Sequence, residues 1–290
     1  MSRAWGVKTI MYGSDADFQA LLRKIQRERK VDLTRYKPSF IQRRIAARLR
    51  ARGVTSYRAY MYLLDEEEYL QLFDTLTINY TSFFRDTSTF QALRDQILRP
   101  LIREREQRGV RRLVMWSAGC ASGEETYSLA ILVSQVLGSR LSHWNIRILG
   151  TDIDENKLAQ AREGIYGPLS FRGTKWPHLE RYFLREGEKR RVRPDLKRLV
   201  RFQHHDLLHE EPPRRFDIIL CRNVLIYFQR PQQNYILQNF HKALYPGGYL
   251  ILGKTEIIPI HFASLFETIN RREHIYRKKS PNSMHQKEDV

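Results

Sequence analysis

The sequence predicts an α/β protein: a doubly wound, mainly parallel sheet with a small all-helical domain before it and a short antiparallel β insertion within it. Three observations predict this. The stretch RLVMWSAGCASGEETYSLAIL, Arg112 to Leu132, reads as strand, tight small-residue turn and helix. Strand-like and helix-like segments then alternate through YLILG (Tyr249 to Gly253), and the chain closes on an alternating pair between Phe266 and Arg277. Earlier, from about Asp15 to Tyr80, apolar residues recur with helical spacing instead.

In that first region Phe18, Leu21, Leu22 and Ile25 mark one helix. Ile41, Ile45 and Leu49 mark a second, started by Pro38 or Ser39 and ended by Gly53. Its other face carries Arg43, Arg44, Arg48, Arg50 and Arg52 without interleaved acids, which makes either a solvated basic face or a docking surface for an acidic partner. Tyr57, Tyr60, Leu63 and Leu64 suggest a further helix, and DEEEYLQLFDTLTI another. In LTINYTSFFRD, Leu76 to Asp86, Phe83 and Phe84 read as core anchors. Asn79, Thr81 and Arg85 place donors and acceptors at about every other position, as a strand or loop lining a pocket would. A helix from about Ser88 to Gln107 follows.

In the central turn Gly119 and Gly123 lack a Cβ and Ala121 has little more, so a ligand could approach the backbone, with N–H groups and a helix N-terminus facing it. The pattern is G-x-A-x-G. A pyrophosphate at that helix end would be repelled by Glu124 and Glu125. S-adenosylmethionine has no phosphate and carries a sulfonium cation, so the two acids suit it; alternatively they only complement the helix dipole.

After the next strand, IRILG, come Asp152 and Asp154. One can accept from both hydroxyls of a ribose while the other caps a helix. Between Glu163 and Phe202 short alternating runs, Arg191 to Arg193 and Leu199 to Phe202, predict an inserted helix and antiparallel sheet, about 168–203, with a basic tip. In FDIILCRNVLIYF, Ile218 to Leu220 form a buried strand presenting Cys221, Arg222 and Asn223. Tyr227 and Phe228 lead into a helix that begins near Pro231 and stops at Pro246, Gly247 and Gly248. Gly119, Asp152 and Asn223 thus fall together at the carboxyl ends of strands, where such sheets bind ligands.

With 290 residues, the chain has room for one large or two modest domains. No apolar run reaches membrane-spanning length and MSRAWGVKTI lacks a signal-peptide core, so a soluble intracellular protein is expected. Cys120 and Cys221 read as packing residues, with no CxxC pair or metal-ligand cluster. Fifty Lys and Arg against 32 Asp and Glu give a net charge of +18, which attracts nucleic acid, an anionic membrane or an acidic protein. There is no internal repeat, and residues 280–290 are expected to be a disordered tail.

Taken together, LTINYTSFFRD, WSAGCASGEETYSLAI, LGTDID, FDIILCRNVLIYF and LYPGGYLILGKTE resemble the chemotaxis receptor methyltransferase family, CheR, from about Phe18 to Tyr276. The Gly-rich turn and the PGG strand alone mark only class I methyltransferases; TSFFRD and CRNVLIYF in this order are more specific. The resemblance implies a seven-stranded class I S-adenosylmethionine domain over 88–279 and a helical domain with its linker over 1–87. It implies methyl transfer to glutamate carboxylates in the cytoplasmic helical bundle of chemoreceptors, with S-adenosylhomocysteine as product, in a cytoplasmic enzyme recruited to receptor arrays. Carried over by motif, Asn79, Thr81 and Arg85 would contact the methionine end of the cofactor, beside the Gly119–Ala121 turn. Glu124 and Asp152 would hold further polar groups, with Asp152 on the ribose. Asp206 and Leu207 would border the adenine, although relatives often carry Asn at the position of Asp206. Arg222 and Asn223 would close the pocket, and Arg85, Arg222 and Tyr227 would orient the substrate.

In family members that tether to a receptor pentapeptide, the loop corresponding to LREGEKR is longer. A tether-independent, monomeric enzyme docking through its Arg-rich helix is therefore expected, with no DNA partner. Because a glutamate is ionised at neutral pH, in-line displacement needs no protein nucleophile or strong base. Two rivals remain. A nucleic-acid methyltransferase would suit the charge, but the chain shows no RNA-binding module and no NPPY-type motif. A non-catalytic regulator would bind the cofactor, or a nucleotide second messenger through its arginines.

Overall fold

The computed structural model describes residues 12–29, 31–76 and 81–279. They form two units divided between Ile78 and Asn79, with Tyr227–Gln229 joining the first. Residues 81–87, expected with the helical domain, therefore group with the sheet. Among the described residues no helix is long and apolar enough to cross a membrane.

The first unit contains α1 (Asp15–Arg29), α2 (Pro38–Ala51), α3 (Tyr57–Tyr62) and α4 (Glu66–Leu76). In α1 and α2 the buried stripes are those that their spacing predicts, whereas α3 ends before Leu63 and Leu64, which are half-buried. In α2 the buried side chains are Phe40, Ile41, Ile45 and Leu49. Their burial stabilises by about 1.5–3 kcal/mol each, which outweighs the roughly 1 kcal/mol lost because Lys37 gives α2 no side-chain cap. The core is aromatic: the rings of Phe18 and Tyr57 lie 5.3 Å apart, those of Phe40 and Tyr227 4.8 Å, and those of Tyr36 and Phe228 5.0 Å.

The second unit opens on one continuous helix built of α5 (Thr87–Ala92), a π-helical stretch (Leu93–Leu98) and α6 (Arg99–Gln107). The widening has a local cause: Pro100 has no N–H to give the preceding turn and crowds its carbonyl. Then come β1 (Arg112–Ala118), α7 (Glu124–Leu137), β2 (Asn145–Asp152), α8 (Glu155–Glu163), β3 (Ile165–Tyr166), β4 (Phe183–Glu186), β5 (Lys189–Val192), α9 (Pro194–Lys197), β6 (Val200–His204), β7 (Phe216–Cys221), α10 (Arg230–Ala243), β8 (Leu244–Leu252), β9 (Phe266–Asn270) and β10 (Ile275–Lys278). The main sheet has seven strands in the order β6-β2-β1-β7-β8-β10-β9, parallel except for β10, which runs antiparallel to β8 and β9. Strand order reverses between β1 and β7, and a crevice at their carboxyl ends is where such a sheet holds a ligand.

Two segments differ from the sequence reading. Leu199–Phe202 was expected in the inserted sheet, but β6 pairs in parallel with β2, placing Phe202 beside Gly150. A Cβ on Gly150 would stand 2.7 Å from the Phe202 ring, so the missing side chain is what admits this strand to the main sheet. The insertion is therefore the antiparallel set β3-β5-β4, and its tip is mixed rather than basic, with Glu186 paired to Arg191. Second, α10 stops at Ala243, and Pro246, Gly247 and Gly248 form an irregularity within β8, where the register against β7 shifts.

Candidate cofactor and methyl-transfer site

The turn after β1 is bare rather than donor-rich. Gly119 has φ +73°, and a Cβ there would stand 2.5 Å from Val224 Cγ2. Ala121 also sits in the left-handed region, φ +47°, which costs a residue with a Cβ about 1–2 kcal/mol. Its N–H donates to Asp152 Oδ2 (2.8 Å), which offsets that strain. The N–H groups expected to face a ligand have partners within the chain: those of Gly119 and Cys120 donate to the Thr151 carbonyl (2.8 and 2.9 Å), and that of Gly123 donates to the Cys120 carbonyl (3.0 Å). The missing Cβ of Gly119 is what lets Val224 pack against the turn.

The acids at the end of β2 divide their work. Asp154 caps α8, accepting from the Asn156 and Lys157 N–H groups (3.0 and 3.1 Å). Asp152 is left with its carboxylate steadied by the N–H groups of Ala121 and Asp154, and burial raises its pKa above the ordinary carboxylate value. Glu124 and Glu125 do more than complement a dipole. Glu124 is 3% exposed and accepts from the Ser122 and Ser170 hydroxyls (2.8 and 2.9 Å); burial raises its pKa too. Glu125 accepts from Ser117 Oγ (2.8 Å) and pairs with Arg222 (3.1 Å).

Arg222 is not available to a substrate. Its side chain is 2% exposed, and the guanidinium donates to Asp86 Oδ2 (2.5 Å), the Arg85 carbonyl (2.9 Å) and Glu125 Oε2 (3.1 Å). It braces the end of the 81–86 loop against α7 and β7. That loop is seated by Phe83 and Phe84, both buried; the Phe84 ring stacks on Trp176 at 4.1 Å, and the Phe84 N–H donates to Ser128 Oγ (2.9 Å). Thr81 and Arg85 lie half-buried on it, and Asn79 lies outside the described residues. Tyr227 belongs to the first unit, where its ring packs on Phe40 and its carbonyl accepts from the Lys37 N–H (2.9 Å).

Asn223, φ +60°, is held by a residue the sequence reading did not single out. The Glu256 carboxylate, 4% exposed, accepts from four backbone N–H groups: Gly253 (2.7 Å), Asn223 (2.8 Å), Val224 (2.8 Å) and Ile226 (3.3 Å). Burial raises its pKa even so. Only its place at the end of LYPGGYLILGKTE hinted at it. After β6 the His205 N–H donates to the Asp152 carbonyl (3.1 Å), bringing Asp206 and Leu207 near the end of β2. Asp206 is engaged in its own turn, accepting from the Leu208 N–H (2.8 Å) and meeting His209 Nδ1 (2.6 Å).

Of the basic residues on α2, Arg43 and Arg50 are exposed and Arg44 is half-buried over the Phe40 ring; Arg52, just past the helix end, is exposed and lies 3.5 Å from Glu68. Arg48 turns inward, which removes it from the expected docking face. It is bidentate on Glu68 (2.9 and 2.7 Å), which is 2% exposed and also accepts from Tyr60 OH (2.6 Å).

These residues fit S-adenosylmethionine. Asp152 retains acceptor capacity beside the Gly119–Ala121 turn. Around the crevice Asp86, Glu124, Glu125 and Asp152 outnumber Arg85 and Arg222, an excess of acid that suits a sulfonium and an ammonium group.

Two family models match. One described as CheR methyltransferase, SAM binding domain, covers residues 79–275, and one described as CheR methyltransferase, all-alpha domain, covers 16–77. The chemotaxis protein methyltransferase of Escherichia coli K12 is 35% identical over 254 residues, covering 84% of this chain and 85% of that one. That of Listeria innocua is 32% identical over 246 residues, 84% of this chain and 91% of the other. An uncharacterised 104.1 kDa protein of Rhodobacter capsulatus is 33% identical over 257 residues; the match takes in 88% of this chain but 27% of that much longer one.

Proposed function

As the chain belongs to the CheR methyltransferase family, we propose that it methylates glutamate side chains in the cytoplasmic helical bundle of chemoreceptors. S-adenosylmethionine is its cofactor and supplies, when bound, an electrophilic methyl group on a sulfonium. Asp152 is the residue to hold the ribose, beside the Gly119 turn. Glu124 and Glu125 favour positive charge, while Arg222 and Glu256 fix the loops that line the crevice.

One observation carries the choice of an ionised substrate: the titratable groups of the crevice already have structural work. Arg222 is paired with Asp86 and Glu125. The thiols of Cys120 and Cys221 are buried, which pushes their pKa well up and keeps them protonated. Such a site suits an acceptor that arrives as its own nucleophile, as a glutamate carboxylate does. The protein's contribution is then orientation, which we assign to Arg85, and exclusion of water from a weak nucleophile. Docking is assigned to the exposed arginines of α2, without a pentapeptide tether, in a monomeric enzyme working at cytoplasmic receptor arrays.

The test is transfer of labelled methyl groups from S-adenosylmethionine into receptor-containing membranes. Label on a receptor-sized band that mild alkali releases is expected, since carboxyl esters hydrolyse readily. Alkali-stable label in RNA, or no transfer despite tight cofactor binding, would overturn the reading.

A further inference from the structure

The irregularity at Pro246, Gly247 and Gly248 opens a second cavity, at the amino ends of β1, β7 and β8 and so at the sheet edge opposite Gly119 and Asp152. It measures about 340 Å³, within the range of small-molecule sites, and is lined by Arg105, Arg112, Asp217, Tyr245, Tyr249 and Arg277 around the two glycines. A Cβ on Gly247 would stand 3.3 Å from the Arg277 guanidinium, so its absence leaves room beside that group. Gly247 has φ +75°, and a Cβ on Gly248 would stand 2.9 Å from the Tyr245 carbonyl oxygen.

Its charge is unbalanced. Arg105 is satisfied by Asp217, which is 5% exposed and also accepts from the Val114 N–H (2.7 Å). Arg112 and Arg277 have no carboxylate within 4.0 Å among the described residues. Instead Arg112 reaches Tyr245 OH (3.5 Å), and Arg277 donates to the Gly247 carbonyl (3.2 Å) with its guanidinium 5.7 Å from the Tyr249 ring centre. Arg108 and Glu104 also line it and pair with each other (3.2 Å). Cations crowd the same end: burial and then Arg215 depress the pKa of Lys278.

We propose that this cavity binds a soluble, phosphate-bearing small molecule of nucleotide size, its phosphates between Arg112 and Arg277 and its flat portion against the tyrosine rings. Guanidinium groups match phosphate oxygens two at a time, and tyrosine faces accept a base. The concave shape favours a soluble molecule over a membrane surface. The site stands apart from the methyl-transfer crevice and does not rest on the identity of the methyl acceptor.

The test is calorimetric titration of the full chain, saturated with S-adenosylhomocysteine so that the methyl-transfer crevice is filled, with ATP and with pyrophosphate. Binding of ATP is expected, weakened about tenfold or more by Arg112→Glu and by Arg277→Glu, and changed less than about twofold by Arg271→Glu, an exposed arginine outside the cavity. Unchanged S-adenosylhomocysteine affinity shows that each variant is folded. No heat with either probe would overturn the proposal, as would an equal loss in Arg271→Glu, the mark of general charge attraction. Capture by phosphatidylglycerol vesicles that both cavity variants lose, without binding of either soluble probe, would overturn it in favour of a lipid headgroup.

Discussion

Asp152 and Asp154 stand two positions apart, yet only Asp152 keeps acceptor capacity toward the crevice, because Asp154 turns its carboxylate onto the first N–H groups of α8. If Asp152 accepts from both ribose hydroxyls, Asp152→Asn should weaken S-adenosylhomocysteine binding by about tenfold to a hundredfold, the loss of one or two hydrogen bonds to a charge. The pH dependence has a definite sign. Burial raises this pKa, so the group stabilises the cofactor-free fold only at low pH and loses that contribution as pH rises through its raised value. Cofactor affinity runs the other way: it should fall on acidification, starting above the pH at which an ordinary aspartate protonates. The Asn variant should show a flatter titration, and parallel curves for the two would remove Asp152 from the ribose. The sequence singles out Asp152 and Asp154 together, and the capping bonds of Asp154 are what separate the two. Glu256 could not be read from the sequence, because the four N–H groups it collects leave no mark on side-chain identity. The partners of Arg222 were hidden for a related reason, since the acids it pairs with lie 97 and 136 positions away.

At the scale of elements, α2 shows how a single buried acid decides what a helix presents. The period that buries Ile41, Ile45 and Leu49 puts Arg48 close to that face, and Glu68 of α4 draws it in. Burial alone would raise the Glu68 pKa, but the hydrogen bonds from Arg48 and Tyr60 outweigh it and hold it below the ordinary value. Glu68→Ala leaves the half-buried Arg48 and the buried Tyr60 hydroxyl unpaired and should destabilise the first unit by about 3 kcal/mol, read as a lowered thermal midpoint. A loss below about 1 kcal/mol would show a solvent-screened pair. The stripes of α1 and α2 follow from spacing, so that much of this unit was legible in the sequence. The fate of Leu199–Phe202 was not, because alternation identifies a strand without naming its sheet. Gly150, fifty-two residues earlier in the chain, is what let Phe202 lie across β2.

At the scale of the whole molecule, the charge of +18 is distributed over at least two faces with different geometry. The cavity at the amino ends of the strands is concave and lined by arginines beside tyrosines. The exposed part of α2 with its C-cap, carrying Arg43, Arg50 and Arg52, is a convex ridge suited to the acidic side of a helical bundle. Each exposed ion pair contributes only about 0.5 kcal/mol, so reversing Arg43 and Arg50 together, which also adds repulsion, should cost about 1–2 kcal/mol, or roughly tenfold in kcat/KM for receptor membranes. S-adenosylhomocysteine affinity should not change, because neither residue belongs to the crevice. The wild-type rate on receptor membranes should also fall steeply with added salt, and the double variant should show a weaker dependence because fewer pairs remain to be screened. Direct titration with a receptor C-terminal pentapeptide should give no measurable binding. An unchanged rate in the double variant, or measurable pentapeptide binding, would move recognition from α2 to the insertion formed by β3, β4 and β5.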